Sequence, residues 1–321
     1  MPFYIARRLV WTAVVVAAVL LISFIVFYKL PAGDPALRFA GKSPTPELLA
    51  EIRHRLGLDR PWYIEFGHYI VTFFTGDEYG WPGLGFSFSS SVSVLSQVTF
   101  RAPRTLWLIA GAATLWLTAG VGIGVLSAIK RRTIFDRLSM GFALFGISSP
   151  VFWLGLMALW IFWRLLGLTG GTGYVPLTQS VTGWASHLIL PWCVLAMLYA
   201  AFYARITRNN LLETLGEDYI RTARAKGLPE RTVIFKHALR ASLTPIVTMF
   251  GLDIALLVGG AIITESVFNI QGLGWLAINS ALNQDLPTVL GVTVLTAVSV
   301  AVMNLVVDIV YAFLDPRVRY A

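Results

Sequence analysis

The sequence predicts an all-α integral membrane protein with six transmembrane helices and a long segment after the first that folds as a small cap. Three observations carry this. Of 321 residues, 56% are hydrophobic and 13% charged, about half the charged share of a soluble domain, and the mean hydropathy is +0.71. The apolar residues gather into six runs long enough to cross about 30 Å of hydrocarbon, which takes roughly 20 helical residues. The basic residues collect between those runs: 16 of 25 lie in the segments 1–8, 130–137, 205–243 and 314–321. The net charge of +8 is thus distributed along membrane flanks, a pattern that fits membrane lipid as a partner and not nucleic acid.

The runs are Leu9–Tyr28, Thr105–Ile129, Leu138–Trp163, His187–Ala204, Thr244–Thr264 and Pro287–Phe313. The first follows Arg7 and Arg8 as a signal peptide would, but its 20 residues exceed a signal h-region of about 7–15. It is read as a retained span. Six spans put both termini on one side, and the basic bias makes that side cytoplasmic. The chain then divides into a first span (1–28), an extracytoplasmic loop or cap (29–104), a five-helix core (105–313) with a cytoplasmic hairpin at 213–240, and a cytoplasmic tail (314–321).

Within 29–104, Thr45 suits an N-cap with Pro46 at the first helical position and Gly57 as a stop. Trp62, Tyr63, Phe66, Tyr69, Phe73 and Phe74 follow, as expected of a cap lying at the membrane surface. Ala-Gly-Lys-Ser (40–43) resembles the end of a phosphate-binding loop, but the motif needs Gly where Ala36 stands, and Pro44 blocks the following helix. No nucleotide site is expected on this chain. The single cysteine, Cys193, allows no disulfide within one chain. His54, His68, His187 and His237 lack ligand spacing, so no metal site is expected. No nucleophile–base set suggests catalysis.

Asp253 and Asp308 lie inside predicted spans, where a charge costs about 2.5–3.5 kcal/mol and usually faces a cavity or a partner. Asp253 is the deeper and is a candidate for a solute path. Asn304 and Asp308 share a helical face near the cytoplasmic end and suit a structural hydrogen bond. Gly120, Gly122 and Gly124 give a small-residue face for close helix packing. Ser148, Ser149 and Pro150 should kink the third span and free a backbone carbonyl toward the path.

The hairpin is the oddity of so apolar a chain. Glu217 and Asp218 place negative charge at a helix start, and Arg221, Arg224 and Lys226 follow toward its end, both favoured by the helix dipole. Gly227 can take a left-handed closing conformation, and Pro229 and Glu230 open a second helix. Tyr219 and Ala223 share one face, a knob fit for a cleft in another protein.

The stretch Tyr-Ile-Arg-Thr-Ala-Arg-Ala-Lys-Gly-Leu (219–228) resembles the cytoplasmic coupling motif of ABC importer permeases of the dipeptide/oligopeptide/nickel group. Arg221, Thr222 and Ala223 stand where the general motif has Glu-Ala-Ala. Gly-Ile-Ser-Ser-Pro-Val-Phe-Trp-Leu-Gly (146–155), Glu-Ser-Val-Phe-Asn-Ile-Gln-Gly-Leu-Gly (265–274), the segment 304–319 and Leu-Pro-Ala-Gly-Asp-Pro (30–35) are also similar to that group. The long loop resembles its B-type permeases, although 76–87 is longer than usual.

The resemblance implies a type I importer fold and a multi-pass subunit of a bacterial or archaeal inner membrane. It implies as partners a second permease, two ABC ATPases or a fused pair, and an extracytoplasmic binding protein. ATP and Mg would sit on the ATPases, with no cofactor on this chain. Coupling would fall to Glu217, Asp218, Tyr219, Arg221, Ala223, Arg224, Ala225, Lys226 and Gly227, and structural roles to Asn304, Asp308, Asp315 and Arg317. Di- or oligopeptides are the leading solutes, with nickel or other small solutes as alternatives. The rival from another class is an ion-coupled carrier using Asp253 and Asp308 as proton sites; it leaves the hairpin unexplained.

Overall fold

A computed structural model of the chain describes residues 2–30, 35–40, 45–56, 58 and 60–314. In chain order these form α1 (Pro2–Phe24), extended by a π turn to Lys29, then α2 (Pro35–Phe39), α3 (Pro46–Leu56), α4 (Trp62–Thr75) and a ladder of β1 (Phe86–Ser87) with β2 (Val92–Ser93). There follow α5 (Val94–Ile129), α6 (Ile134–Ser148), α7 (Val151–Ala158), α8 (Val181–Thr214), α9 (Asp218–Ala225), α10 (Glu230–Thr232), α11 (Leu239–Ser242), α12 (Thr244–Val258), α13 (Ile262–Val267), α14 (Leu273–Leu282) and α15 (Leu286–Leu314).

Four of the described helices are long and apolar enough to cross a membrane: Ile5–Lys29, Val94–Ile129, Val181–Thr214 and Leu286–Ile309. Two bent pairs raise the number to six if each pair is one span. The expected third span, Leu138–Trp163, is not a kinked rod. Its halves meet at 105°, because Pro150 forces Ser149 out of the helical region to ψ 132°. The expected fifth span also stops early. Gly259 ends α12, Gly260 takes φ +107°, and the chain continues through the short helices α13 and α14.

The core is the α5–α8 seam. A Cβ on Gly120 would lie 2.7 Å from Tyr203 Cβ, and one on Gly124 2.6 Å from the Ala204 carbonyl oxygen. The glycines therefore allow the two backbones to meet, as their four-residue spacing suggests. Gly122, off that face, meets nothing. Trp116 and Tyr203 are buried between the helices.

A second core joins α1, the 35–88 segment and α15 through Leu20, Phe24, Tyr28, Phe39, Ile52, Phe73, Leu290 and Val294. Thr45 Oγ1 accepts from Leu48 N at 3.3 Å, so α3 starts where its capping residue indicates. Gly57, Gly41–Ser43 and the tail bearing Asp315 and Arg317 lie outside the described residues. In α4, Phe66 and Tyr69 lie 5.3 and 6.1 Å from Phe24 of α1, and Glu65 pairs with Lys29. At the other end of α1, Arg8 Nη1 lies 3.0 Å from Asp308 Oδ2.

Candidate functional site

The hairpin at 213–240 is built by local rules. Helix α8 runs to Thr214, and α9 follows a short turn. Leu228 N donates to Ala223 O at 3.4 Å and Gly227 N to Arg224 O at 2.9 Å, with Gly227 at φ +73°. This is a Schellman ending, which satisfies orphan carbonyls and needs a left-handed residue. Arg224 grips Glu230 with two bonds, Nε to Oε2 at 3.1 Å and Nη2 to Oε1 at 2.7 Å. The contact holds the Glu230 carboxyl below its usual range and raises the Arg224 guanidinium. Arg221 meets Asp218 at 3.2 Å.

The face that α9 presents differs from the expected one. Ala223 turns inward with Ile220, which is 0% exposed, against Leu211, Val233 and Ala238. Ile220 and Ala223 are three apart and form the helix's apolar stripe, so burial follows. The outward face is Tyr219, 47% exposed, with Arg221, Thr222, Ala225 and Lys226, and Gly227 at the turn. Glu217 precedes the helix as its N-cap residue without a side-chain bond.

In the membrane core, Asp253 is half-buried on α12 and Oδ2 accepts from Tyr203 Oη at 2.6 Å. Trp116 stacks on Tyr199 at 4.6 Å and lies 6.0 Å from Phe250, so the carboxylate borders an aromatic group. Ser149 Oγ instead returns to Phe145 O at 2.8 Å, and Ser148 and Pro150 are exposed. Asp308 is already paired with Arg8, which leaves Asp253 as the carboxylate of the two without a cationic partner among the described residues.

Besides Glu65, two buried carboxylates on the predicted outer side were not singled out by sequence reasoning. Glu265, 0% exposed, accepts from Thr105 Oγ1 at 2.7 Å and Trp275 N at 2.8 Å. Thr105 Oγ1 in turn accepts from Leu273 N at 2.8 Å. The carboxylate thus satisfies the start of α14 and ties it to α5. A side chain at Gly272 would overlap Thr105 and Glu265. Asp285 likewise precedes α15, accepting from Thr288 Oγ1 at 2.8 Å and from Ser87 Oγ at 2.7 Å. The second bond docks the 76–87 loop, whose Asp77 also accepts from Tyr79 N and Gly85 N, both at 2.9 Å. Among the described residues no group of three His, Cys, Asp or Glu side chains could hold a metal ion.

The family described as binding-protein-dependent transport system inner membrane component matches residues 120–320, and its N-terminal counterpart matches residues 1–109. A Brucella abortus protein named for a peptide transport system permease is 38% identical over 320 residues, with all of both chains covered. The dipeptide transport system permease protein DppB of Escherichia coli K12 is 36% identical over 341 residues, covering 99% of this chain and 98% of DppB. Among solved structures, the inward-facing MetNI methionine ABC transporter aligns with a TM-score of 0.53 at 19% identity, covering 69% of this chain and 97% of that one, which shows the fold. The chain belongs to the binding-protein-dependent transport system inner membrane components, the multi-pass permease subunits of ABC importers.

Proposed function

We propose that this chain is half of the pore of an ATP-driven importer of di- or oligopeptides, with a second permease as the other half. Two ATPase subunits hydrolyse ATP with Mg, each receiving one hairpin, and a binding protein delivers the solute from outside. The chain itself performs no covalent chemistry. The peptide class rests on the relatives that match end to end. The observation that carries the coupling role is α9: a short helix with its apolar stripe anchored in its own chain, closed by a tight turn and facing outward with Tyr219 and a basic rim. Such a rigid knob transmits the closure of a partner to the spans as alternating access.

The six-span reading counts each bent pair once and places the termini, α9 and Arg131 in the cytoplasm, with 29–104 outside. In a Cys193→Ala background, a cysteine at Ser89 reacts with a membrane-impermeant thiol reagent added outside, and one at Arg131 does not. Reversed labelling overturns the orientation. Asp253 lines the solute path: a carboxylate facing lipid is costly, and its bond to Tyr203 leaves one oxygen for a passing ammonium. Reconstitution with the partner subunits tests the function. ATP- and binding-protein-dependent peptide uptake is expected; a complex that assembles, hydrolyses ATP and carries no peptide refutes the peptide reading.

A further inference from the structure

Two arginines at the start of α5 have no role in the account above. Arg101 and Arg104 are half-buried where α5 meets the 170–174 loop and the 268–275 loop. Each guanidinium lies over an aromatic ring. Arg101 lies 4.7 Å over Trp275, and Arg104 lies 4.6 Å over Phe100 and 5.6 Å from Tyr174. Among the described residues their hydrogen bonds run from Nη1: Arg101 to Gln271 O at 3.2 Å, and Arg104 to Ile270 O and Gln271 O at 3.5 and 3.4 Å. In both, Nε and Nη2 have no acceptor among the described residues. Those two atoms form the edge that grips a carboxylate with parallel bonds.

Neither guanidinium has an ion-pair partner among the described residues. The nearby carboxylate, Glu265, is fully buried, with its oxygens on Thr105 and the Trp275 amide. Two half-buried side chains are therefore held by rings and carbonyls, each with a free guanidinium edge, where α5 meets the two loops. Trp116, which borders the Asp253 group, lies twelve residues further along α5, about 18 Å by helical rise. A cationic pair at the mouth and the Asp253 carboxylate of α12, beside Trp116 deeper along α5, suit a solute with both charges.

We propose that Arg101 and Arg104 form a receiving site for the solute's carboxylate, the free C-terminus of a peptide, at the outer mouth of the pore. This rests on the peptide-importer reading. The test is uptake into proteoliposomes by the full complex, with a dipeptide and its C-terminal amide each loaded to saturation on the binding protein. The parent carries the free acid about tenfold faster than the amide, and Arg101→Gln with Arg104→Gln reduces that ratio to about one. Lysine at both positions keeps an intermediate ratio, because charge without the fork retains part of the grip. The half-saturating concentration of binding protein stays unchanged.

An acid-to-amide ratio that survives the glutamines overturns the proposal. So does a loss seen only as a raised half-saturating concentration, which assigns the arginines to docking of the binding protein. A parent complex that carries no peptide at all overturns the functional reading itself. These outcomes separate the two claims.

Discussion

The hairpin at 213–240 and the network around Glu265 and Asp285 handle charge in opposite ways. In the hairpin, Asp218 meets Arg221 and Arg224 meets Glu230, pairs three and six residues apart and open to water. On the side expected to face outward, Glu265 and Asp285 are buried, and their hydroxyl donors Thr105 and Ser87 lie 160 and 198 residues away. Exposed pairs contribute about 0.2–1 kcal/mol, whereas removing the partner of a buried charge costs about 3–5 kcal/mol. The hairpin is therefore stiff through backbone geometry and its apolar stripe, and its charges remain available to a partner. The outer network is stiff through its charges, which have nothing left to offer.

This contrast ranks four substitutions. Thr105→Val should have the largest effect, since it removes a donor from Glu265 and an acceptor from Leu273 N; a loss of about 2–4 kcal/mol is expected. Thermal unfolding of the purified complex reads it, and an unchanged midpoint would mean the network does not hold α14 to α5. Ser87→Ala removes one of the bonds to Asp285 and should cost about 1–3 kcal/mol. Here the sharper readout is protease cleavage in 76–87, which should accelerate as the loop undocks.

Gly227→Val comes next. A Cβ there meets nothing, so the cost is the left-handed backbone alone, about 1 kcal/mol or more. Stability should change little while ATP hydrolysis and uptake come apart. Retained coupling in that variant counts against the rigid knob. Arg224→Gln should be smallest, within about 1 kcal/mol. Because the pair depresses the Glu230 carboxyl, its contribution is complete above the usual glutamate range of about 4.3 and is lost only as pH falls through the lowered value. Parent and variant should differ by the same amount at pH 6 and pH 8.

The same contrast explains what was legible in the sequence. The hairpin turn follows from Gly227 and the residues beside it, so local rules predict it. The face of α9 did not, because whether Ala223 points outward depends on Leu211 and Val233 packing beneath it. The α5–α8 seam was visible as Gly120 and Gly124, although its partner helix was not. Ser149-Pro150 signalled a break, but not a turn of 105°, which is set by the packing of each half. The outer carboxylates were the least legible: nothing near Glu265 or Asp285 in the chain names Thr105 or Ser87 as donor.

On the proposed function, α9 is the surface that engages the ATPase. A photo-crosslinking residue at Tyr219, in the assembled complex with both ATPase subunits and the binding protein, tests it most directly. A crosslink is expected from position 219 to an ATPase subunit, with a yield that changes when ATP is bound, and none from position 220, which is 0% exposed. A crosslink from 219 to the binding protein, or none to the ATPase in any nucleotide state, would contradict it.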